Sequence, residues 1–512
     1  MISPLHHPFL AKKKGKHPWG APLALFICVS LVNVLLMPAD WLPADPAGWF
    51  HEARTLVRTG QLAVDPTGFI PGLFLPHPVT GKAYSKYGLA SSLAVVPPMA
   101  LANVVNAGAG GELMLVSIWQ AGVSGALAVL LFSVAGRYSC SVRVRLVYAL
   151  SVLYATFCWF YLRAQGTELY QCIYFTIWWI GIVGFAWPTT EQQRSSFHLP
   201  AAWFAVVCLM HTRPTFALMV PVTVALIAWR VWRGGEPYRR QVSRILLHAV
   251  LPACLAAASL MLVNYIKFGA WYYTGYHIPG NGGASVSLGN IPDALGFIFD
   301  PQYSVFLTFP VLLFSLPCFP SAWTRDRGPC ALVLSITVAQ AIIVASFGFW
   351  SGEWSEGPRY LLFALPVLSL PFVIFLDRLR FHLKEAKGTA IATAVAITLS
   401  CSGFCWYQVI ARPMFAWYRI VFVAGPHLDV HAARFASLQP RGLSLLSLYR
   451  RRDRLDEHPY MRVIAMTVDG ESYAEYRRRV AALVQPSNFF WKQYWLTKAM
   501  QRDPLPSSNP RG

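Results

Sequence analysis

Charged residues are scarce in this 512-residue chain: they make up 13% of it, whereas hydrophobic residues make up 55%. An average soluble domain is roughly 25% charged, so the composition excludes an ordinary soluble protein and is typical of a membrane protein. Phosphate-binding loops are missing too, because neither GxxxxGK[ST] nor GxGxxG occurs. Internal repeats and coiled-coil heptads are also absent.

Metal-binding motifs are equally hard to find. The ten cysteines include no CxxC pair, and the thirteen histidines form no HExxH motif. Cys401 and Cys405 share a helical face, which is far more often packing than a ligand pair. We therefore predict no tight metal site made by protein ligands alone, and we leave open whether a divalent cation takes part.

Basic residues outnumber acidic ones, with 43 Lys and Arg against 23 Asp and Glu, which gives a net charge of +20. Such a charge suits nucleic acid, a membrane surface or an anionic substrate. Apolar runs long enough to cross a ~30 Å hydrocarbon core predict about eleven helices. They begin near Pro22, Leu113, Leu146, Leu169, Leu199, Phe216, Ile245, Tyr303, Cys330, Tyr360 and Thr389.

The distribution of Lys and Arg orients these helices. With the amino terminus inside, the predicted inner segments carry more than twice as many Lys and Arg as the predicted outer loops. That asymmetry follows the positive-inside rule, explains much of the charge, and leaves no nucleic-acid partner to predict. We predict a cytoplasmic basic head (1–20), an all-α transmembrane domain (21–409) and a polar tail (410–512) outside, in the periplasm.

One apolar run is predicted not to cross the membrane. The stretch 87–105, "YGLASSLAVVPPMALANVV", is long enough to span, but Pro97 and Pro98 remove two backbone donors in its middle. A crossing here would also invert every later loop. We expect a broken helix at the outer interface, inside one large first outer loop, 39–112, with interfacial helices.

Asp45 opens "DPAGWFHEAR", the first place where acids, a base and aromatics crowd together. It follows the first helix closely enough to lie near the outer headgroups. A carboxylate beneath Trp41, Trp49 and Phe50 could lose solvation and act as a general base. Asp45 also fits a helix N-cap with Pro46 at the first helical position, and both roles are compatible.

Three cations are predicted at the same outer level. Arg213 lies in a turn, "CLMHTRPTF", that follows a run of barely spanning length, so the turn is expected below the surface. An intramembrane arginine is usually kept for an anion, although Arg213 could instead snorkel or pair with Glu168. Taken singly, Arg359 and Lys86 fit the role of interfacial anchors. Three cations at the same level of the membrane would suit the binding of a phosphate group.

Further candidates lie in neighbouring loops. Glu168 precedes the fourth helix and fits either a second active-site acid or the counter-ion of Arg163. Tyr272 and Tyr276 open a Gly-rich outer loop, where aromatic faces suit stacking on sugars as well as ordinary interfacial anchoring.

Five segments in this order resemble the GT-C superfamily of polytopic glycosyltransferases, in particular the protein O-mannosyltransferases and the aminoarabinose transferases of lipid A. That family has a first outer-loop pattern D-E-x-x-Y-x-x-x-A-R-x-L, and this sequence keeps Asp45, Ala53, Arg54 and Leu56 of it. The other segments are "YSKYGLASSLAVVPP", "TRPTFALMVPV", "NYIKFGAWYYTGY" and "EGPRYLLFALPVL".

The resemblance implies a GT-C-like bundle in a bacterial plasma membrane that builds a cell-envelope glycan. A sugar passes, with inversion, from a polyprenyl-phosphate donor to an acceptor hydroxyl of a glycan, lipid or protein. Asp45 would be the base, Glu168 a second acid, and Arg213, Arg359 and Lys86 the phosphate ligands. Pro46 replaces the usual Glu, which removes a second acid, and Trp49 replaces the usual Tyr, which keeps a stacking platform.

Two other functions stay open on the sequence. A transporter or flippase of lipid-linked sugars also needs many helices and phosphate-binding cations, but not one particular outer-loop acid. An O-antigen ligase or polymerase uses diphosphate-linked donors and usually places its large loop late in the chain, whereas this sequence has its large loop early.

Overall fold

The computed structural model describes residues 19–35, 45–64, 74–163, 166–188, 197–235, 237–275, 287–299, 304–346 and 357–384. The basic head up to residue 18, the eleventh predicted helix near Thr389 and the tail 410–512 lie outside the described residues.

The described part is mostly helical. Its helices are α1 (Gly20–Leu35), α2 (Asp45–Thr59), α3 (Leu89–Val104), α4 (Ala109–Ala135), α5 (Val142–Tyr154), α6 (Cys158–Arg163), α7 (Thr167–Ala186), α8 (His198–Met210), α9 (Met219–Trp232), α10 (Tyr238–Ile245), α11 (Leu251–Phe268), α12 (Gly296–Phe299), α13 (Val305–Thr308), α14 (Pro310–Ser315), α15 (Phe319–Arg325), α16 (Arg327–Ser346), α17 (Leu365–Leu368) and α18 (Pro371–Lys384). Its strands are β1 (Phe74–Pro76) and β2 (Ala83–Ser85), which form an antiparallel hairpin that pairs Phe74 with Ser85.

Within the described ranges, five helical stretches are long and apolar enough to cross a membrane. Their outward faces carry large apolar side chains, most clearly along 238–268, where only 11% of the most apolar window is buried in the protein. A helix that shows this much apolar surface needs lipid around it. The chain is therefore an integral membrane protein. The five stretches are Gly111–Ala135, Thr167–Ala186, Pro214–Trp232, Tyr238–Phe268 and Arg327–Ser346.

Polar contacts join the helix ends at one end of the bundle. Arg137, just after α4, donates from Nε and Nη2 to the Asp326 carboxylate at 2.7 and 2.8 Å. Arg325, at the end of α15, donates to the Arg137 carbonyl at 3.0 Å. Trp187, after α7, packs on Trp229 near the end of α9. These segments, all predicted to be inner, lie together, and we call them the inner end.

Helix α3 corrects one expectation, because it runs unbroken from Leu89 to Val104 through Pro97 and Pro98. Val95 and Met99 flank the prolines and are buried against α2 and α4. This packing holds the helix together where two backbone donors are missing.

Both ends of α3 nevertheless reach the same end of the bundle. Its first turn contacts His211, after α8, whereas its last turn leads by a short link to α4. Glu112, in the first turn of α4, pairs with Arg54 and Arg58 of α2. That this helix does not cross the membrane stays a prediction.

Candidate functional site

Helix α2 begins at Asp45, the residue singled out as the candidate base. Pro46 favours a helix start, because its fixed φ suits the first turn and its missing N–H has no partner there. The side chains of residues 45–47 lie outside the described part of the chain. One turn later, Gly48 packs on the end of β2: a Cβ there would lie 3.0 Å from the Tyr87 ring and 3.1 Å from Ser85 Oγ.

The segment 85–88 leads from the start of α2 towards the arginine turn. Lys86, half-buried, has its Nζ 5.2 Å from the centre of the Tyr87 ring. Gly88 sits directly on the His211 carbonyl, which an added Cβ would overlap, and the Ala90 N–H donates to that carbonyl at 3.2 Å. The first turn of α2 and the Arg213 turn therefore lie at the same end of the bundle, which we call the outer end.

Arg213 and Arg359 converge on one carboxylate. Arg213 Nη2 donates to Glu168 Oε1 at 2.7 Å, and Arg359 Nη1 lies 4.0 Å from the same oxygen. Both guanidinium groups also pack on the Tyr360 ring, at 4.3 and 4.9 Å from its centre. The side chains are mostly buried, with 11%, 18% and 4% of Arg213, Arg359 and Glu168 exposed.

We call Glu168, Arg213 and Arg359 the arginine cluster. In it Arg213 is the partner of Glu168, which was the alternative interpretation of Arg213. The other suggested partner of Glu168, Arg163, has its side chain outside the described residues. Two guanidinium groups share one carboxylate, which leaves one net positive charge among these three side chains. Lys86 lies on a separate segment, with no described contact between its ammonium and this cluster.

The pair Glu52 and Lys267 was missed by the sequence analysis. Glu52 Oε1 lies 2.6 Å from Lys267 Nζ, and the two side chains are 0% and 1% exposed. Ser92 Oγ donates to the other carboxylate oxygen at 2.6 Å. Burial raises the pKa of Glu52 above its usual range, whereas the neighbouring Lys267 lowers it. The one sequence feature that could have pointed to this pair is that both residues lie in loops predicted to be outside the membrane.

The three candidate stacking residues differ in their surroundings. Trp49 is 0% exposed and packs on Phe50 and Tyr170, so its ring belongs to the core beneath α2 and is not available to a sugar in this structure. Tyr272 is 61% exposed and lies against Tyr273. Tyr276 lies outside the described residues.

Within the described ranges, no group of three or more His, Cys, Asp or Glu side chains is arranged to hold a metal ion.

No protein-family model matches the sequence, and no curated protein matches it. Among solved structures, the archaeal oligosaccharyltransferase AglB from Archaeoglobus fulgidus, in complex with an inhibitory peptide and a dolichol-phosphate, is similar at 11% identity and a TM-score of 0.46. The A. fulgidus oligosaccharyltransferase with Zn and sulfate is similar at 12% identity and a TM-score of 0.44. The matches cover 83% and 82% of this chain but only 60% and 58% of those chains. At this level the likeness assigns neither a family nor an activity.

Proposed function

We propose that this protein is a GT-C-like glycosyltransferase. It transfers a sugar from a polyprenyl-phosphate-linked donor to an acceptor hydroxyl of a glycan, lipid or protein. The reaction takes place at the outer face of a bacterial plasma membrane. Asp45 takes the hydroxyl proton, the hydroxyl oxygen attacks the anomeric carbon, the bond to the phosphate oxygen breaks, and the sugar inverts.

One observation carries the proposal: the helix that begins at Asp45 and the turn that holds Arg213 are joined at the same end of the bundle through the segment 85–90. A base and a phosphate site must lie on one side of the membrane for a hydroxyl, a sugar and a lipid phosphate to meet. The general resemblance of the sequence motifs to GT-C enzymes agrees with this placement.

The charge of the arginine cluster favours a monophosphate donor. A sugar linked to a lipid by one phosphate carries one negative charge, which the single net positive charge of Glu168, Arg213 and Arg359 can balance. In a low-dielectric site, fixed guanidinium groups stabilise the phosphate as the glycosidic bond breaks. Glu168 holds both guanidinium groups in place, and Lys86 is a third candidate ligand from the neighbouring segment.

The acceptor side is assigned to the exposed aromatic segment after α11. Tyr272 presents its ring beside Tyr273, and rings of this kind stack on sugar faces at a water-facing surface. Because Trp49 is in the core, the stacking role passes to Tyr272, and to Tyr276 further along the loop.

The test offers the purified protein polyprenyl-monophosphate and polyprenyl-diphosphate sugars, radiolabelled, with a mixture of envelope acceptors. We expect transfer from the monophosphate donor and its loss, by roughly 100-fold or more, in Asp45→Asn, because a general base contributes about 10²–10⁴-fold. Transfer from the diphosphate donor alone would indicate a ligase or polymerase. Retained transfer in Asp45→Asn would reject the aspartate base, and sugar movement across vesicles without transfer would indicate a flippase.

A further inference from the structure

The ion pair of Glu52 and Lys267 is the most deeply buried one in the described part of the chain. Water reaches neither side chain. Each charge has further partners, because Ser92 Oγ donates to the Glu52 carboxylate and Lys267 Nζ donates to the Tyr87 carbonyl at 2.7 Å. An ammonium and a carboxylate held in this way are matched in charge and directed by hydrogen bonds.

Lys267 connects three segments of the outer end. Its own helix, α11, ends one residue later at Phe268, and Gly269 then turns the chain with a φ of +75°. Through Glu52 it holds the middle of α2, and through the Tyr87 carbonyl it holds the segment that carries Lys86. The chain after α11 returns to the same place, because Gly275 packs on the Lys86 carbonyl.

Stability alone does not account for such a pair. Moving two charges out of water costs several kcal/mol per ion, and apolar residues of similar size often replace a buried pair without loss of stability. A directed pair, however, fixes the angle and register of two elements, which apolar contacts do less well. Elsewhere α2 contacts its neighbours through apolar Trp49, Phe50 and Ala53, and its second half pairs Arg54 and Arg58 with Glu112 of α4. Glu52 is therefore the buried charged contact of α2 with α11.

We propose that Glu52 and Lys267 are positioning residues that fix α2, and with it Asp45, relative to Lys86 and the Arg213 turn. This inference rests on the proposed function for the role of Asp45. The pair touches no substrate, because both side chains are buried. Its effect is to set the distance and angle at which the carboxylate of Asp45 meets the acceptor.

The test uses the full-length protein in lipid nanodiscs and compares three forms: wild type, the double variant Glu52→Leu/Lys267→Met, and Asp326→Asn. The double variant removes both charges at similar volume, so it is expected to insert and to unfold at the wild-type temperature. Asp326→Asn is the matched control, since it breaks an ion pair with Arg137 at the inner end, far from α2 along the bundle.

Two measurements decide the outcome. In the double variant we expect the amide hydrogens of α2 to exchange about 10-fold faster, with α7 and α8 unchanged, since a local opening affects only its own segment. We also expect kcat to fall about 100-fold while KM for the donor stays within about twofold, because misplacement by about 1 Å has that effect on the chemical step. Asp326→Asn should leave the exchange of α2 and the ratio of kcat to KM as in wild type.

Several results would overturn the proposal. Wild-type kcat in a folded double variant would show that the pair merely packs, and loss of folding would show that it is needed for the fold itself. Unchanged exchange in α2 would show that the pair does not hold that helix. If the wild type transfers no sugar at all, the proposed function fails, whereas the exchange of α2 still decides whether the pair fixes the helix.

Discussion

Arg213 and Arg359 share two partners at the outer end, the Glu168 carboxylate and the Tyr360 ring. The sequence placed both at the outer level because each interrupts apolar chain near a predicted helix end. It also named Glu168 as the alternative partner of Arg213, and the 2.7 Å contact matches that alternative. The shared use of Tyr360 by both guanidinium groups could not be predicted, because it needs the packing of distant helices.

The arginine cluster leads to a prediction on donor binding. In Arg213→Ala and in Arg359→Ala we expect KM for the polyprenyl-phosphate sugar to rise about 10- to 100-fold, because a hydrogen bond to a charged group is worth about 1.5–3 kcal/mol. Steady-state kinetics at varied donor concentration measure this change.

A suitable control is Arg325→Ala, which removes a guanidinium of the same kind at the inner end. It should leave KM for the donor unchanged. If both outer variants keep the wild-type KM, or if Arg325→Ala raises it equally, the arginine cluster does not bind the donor phosphate.

The buried pair of Glu52 and Lys267 could not be predicted from spacing. Glu52 lies in "DPAGWFHEAR", the stretch that begins at Asp45, and Lys267 lies in one of the segments that resemble GT-C enzymes. Apart from their shared outer level, nothing in either stretch points to the other. An ion pair between residues far apart in the chain leaves no local periodicity, so it becomes visible only when α2 and α11 are placed together.

Among the elements, α3 differs from its prediction, because it continues through both of its prolines. Two adjacent prolines argue against a helix when only local rules are considered. Burial of Val95 and Met99 against α2 and α4 outweighs the two missing hydrogen bonds, and the helix continues. The expectation that this stretch does not cross the membrane rests on loop charge, which is a property of the whole chain, and it stays a prediction.

The junction between α3 and the Arg213 turn leads to a prediction at the level of elements. Gly88 lies on the His211 carbonyl with no room for a side chain. In Gly88→Ala, the backbone of one element must shift to make room for the methyl group. Overpacking of this kind lowers the free energy of unfolding by about 1–3 kcal/mol. We expect a lower unfolding temperature in detergent, as measured by tryptophan fluorescence.

Gly122→Ala is the matched control for this variant. Gly122 lies inside α4, and a Cβ there would meet nothing within 4 Å. Alanine is the better helix former by about 1 kcal/mol, so this variant should unfold at the wild-type temperature or above it. A Gly88→Ala protein as stable as Gly122→Ala would contradict the close approach of α3 to the Arg213 turn.

The whole molecule follows the charge pattern of its sequence. Segments predicted to be inner, around Arg137, Trp187 and Asp326, meet at one end of the bundle, and segments predicted to be outer meet at the other. This grouping could be predicted because loop charge and apolar length are local properties that sum along the chain, whereas the count of about eleven crossings and the side that each end faces stay predictions. The order in which helices pack depends on tertiary contacts and was not predicted. The breaks in the stretch from Val305 to Arg325 were not predicted either, although each new helical piece there has a proline in its first turn, at Pro310, Pro317 and Pro320.

For sugar transfer at the outer face, the end of the bundle that holds α2, Lys86 and Arg213 must face the exterior. Cysteine labelling in intact cells tests it most directly, with single cysteines introduced into a cysteine-free chain at Val79, Tyr272 and Arg240. Val79 and Tyr272 are 85% and 61% exposed at the outer end, and Arg240 is exposed in α10 near the inner end. We expect a membrane-impermeant maleimide to label Val79→Cys and Tyr272→Cys from outside and to reach Arg240→Cys only after the membrane is opened. Labelling of Arg240→Cys from outside, with protection of the other two, would contradict it.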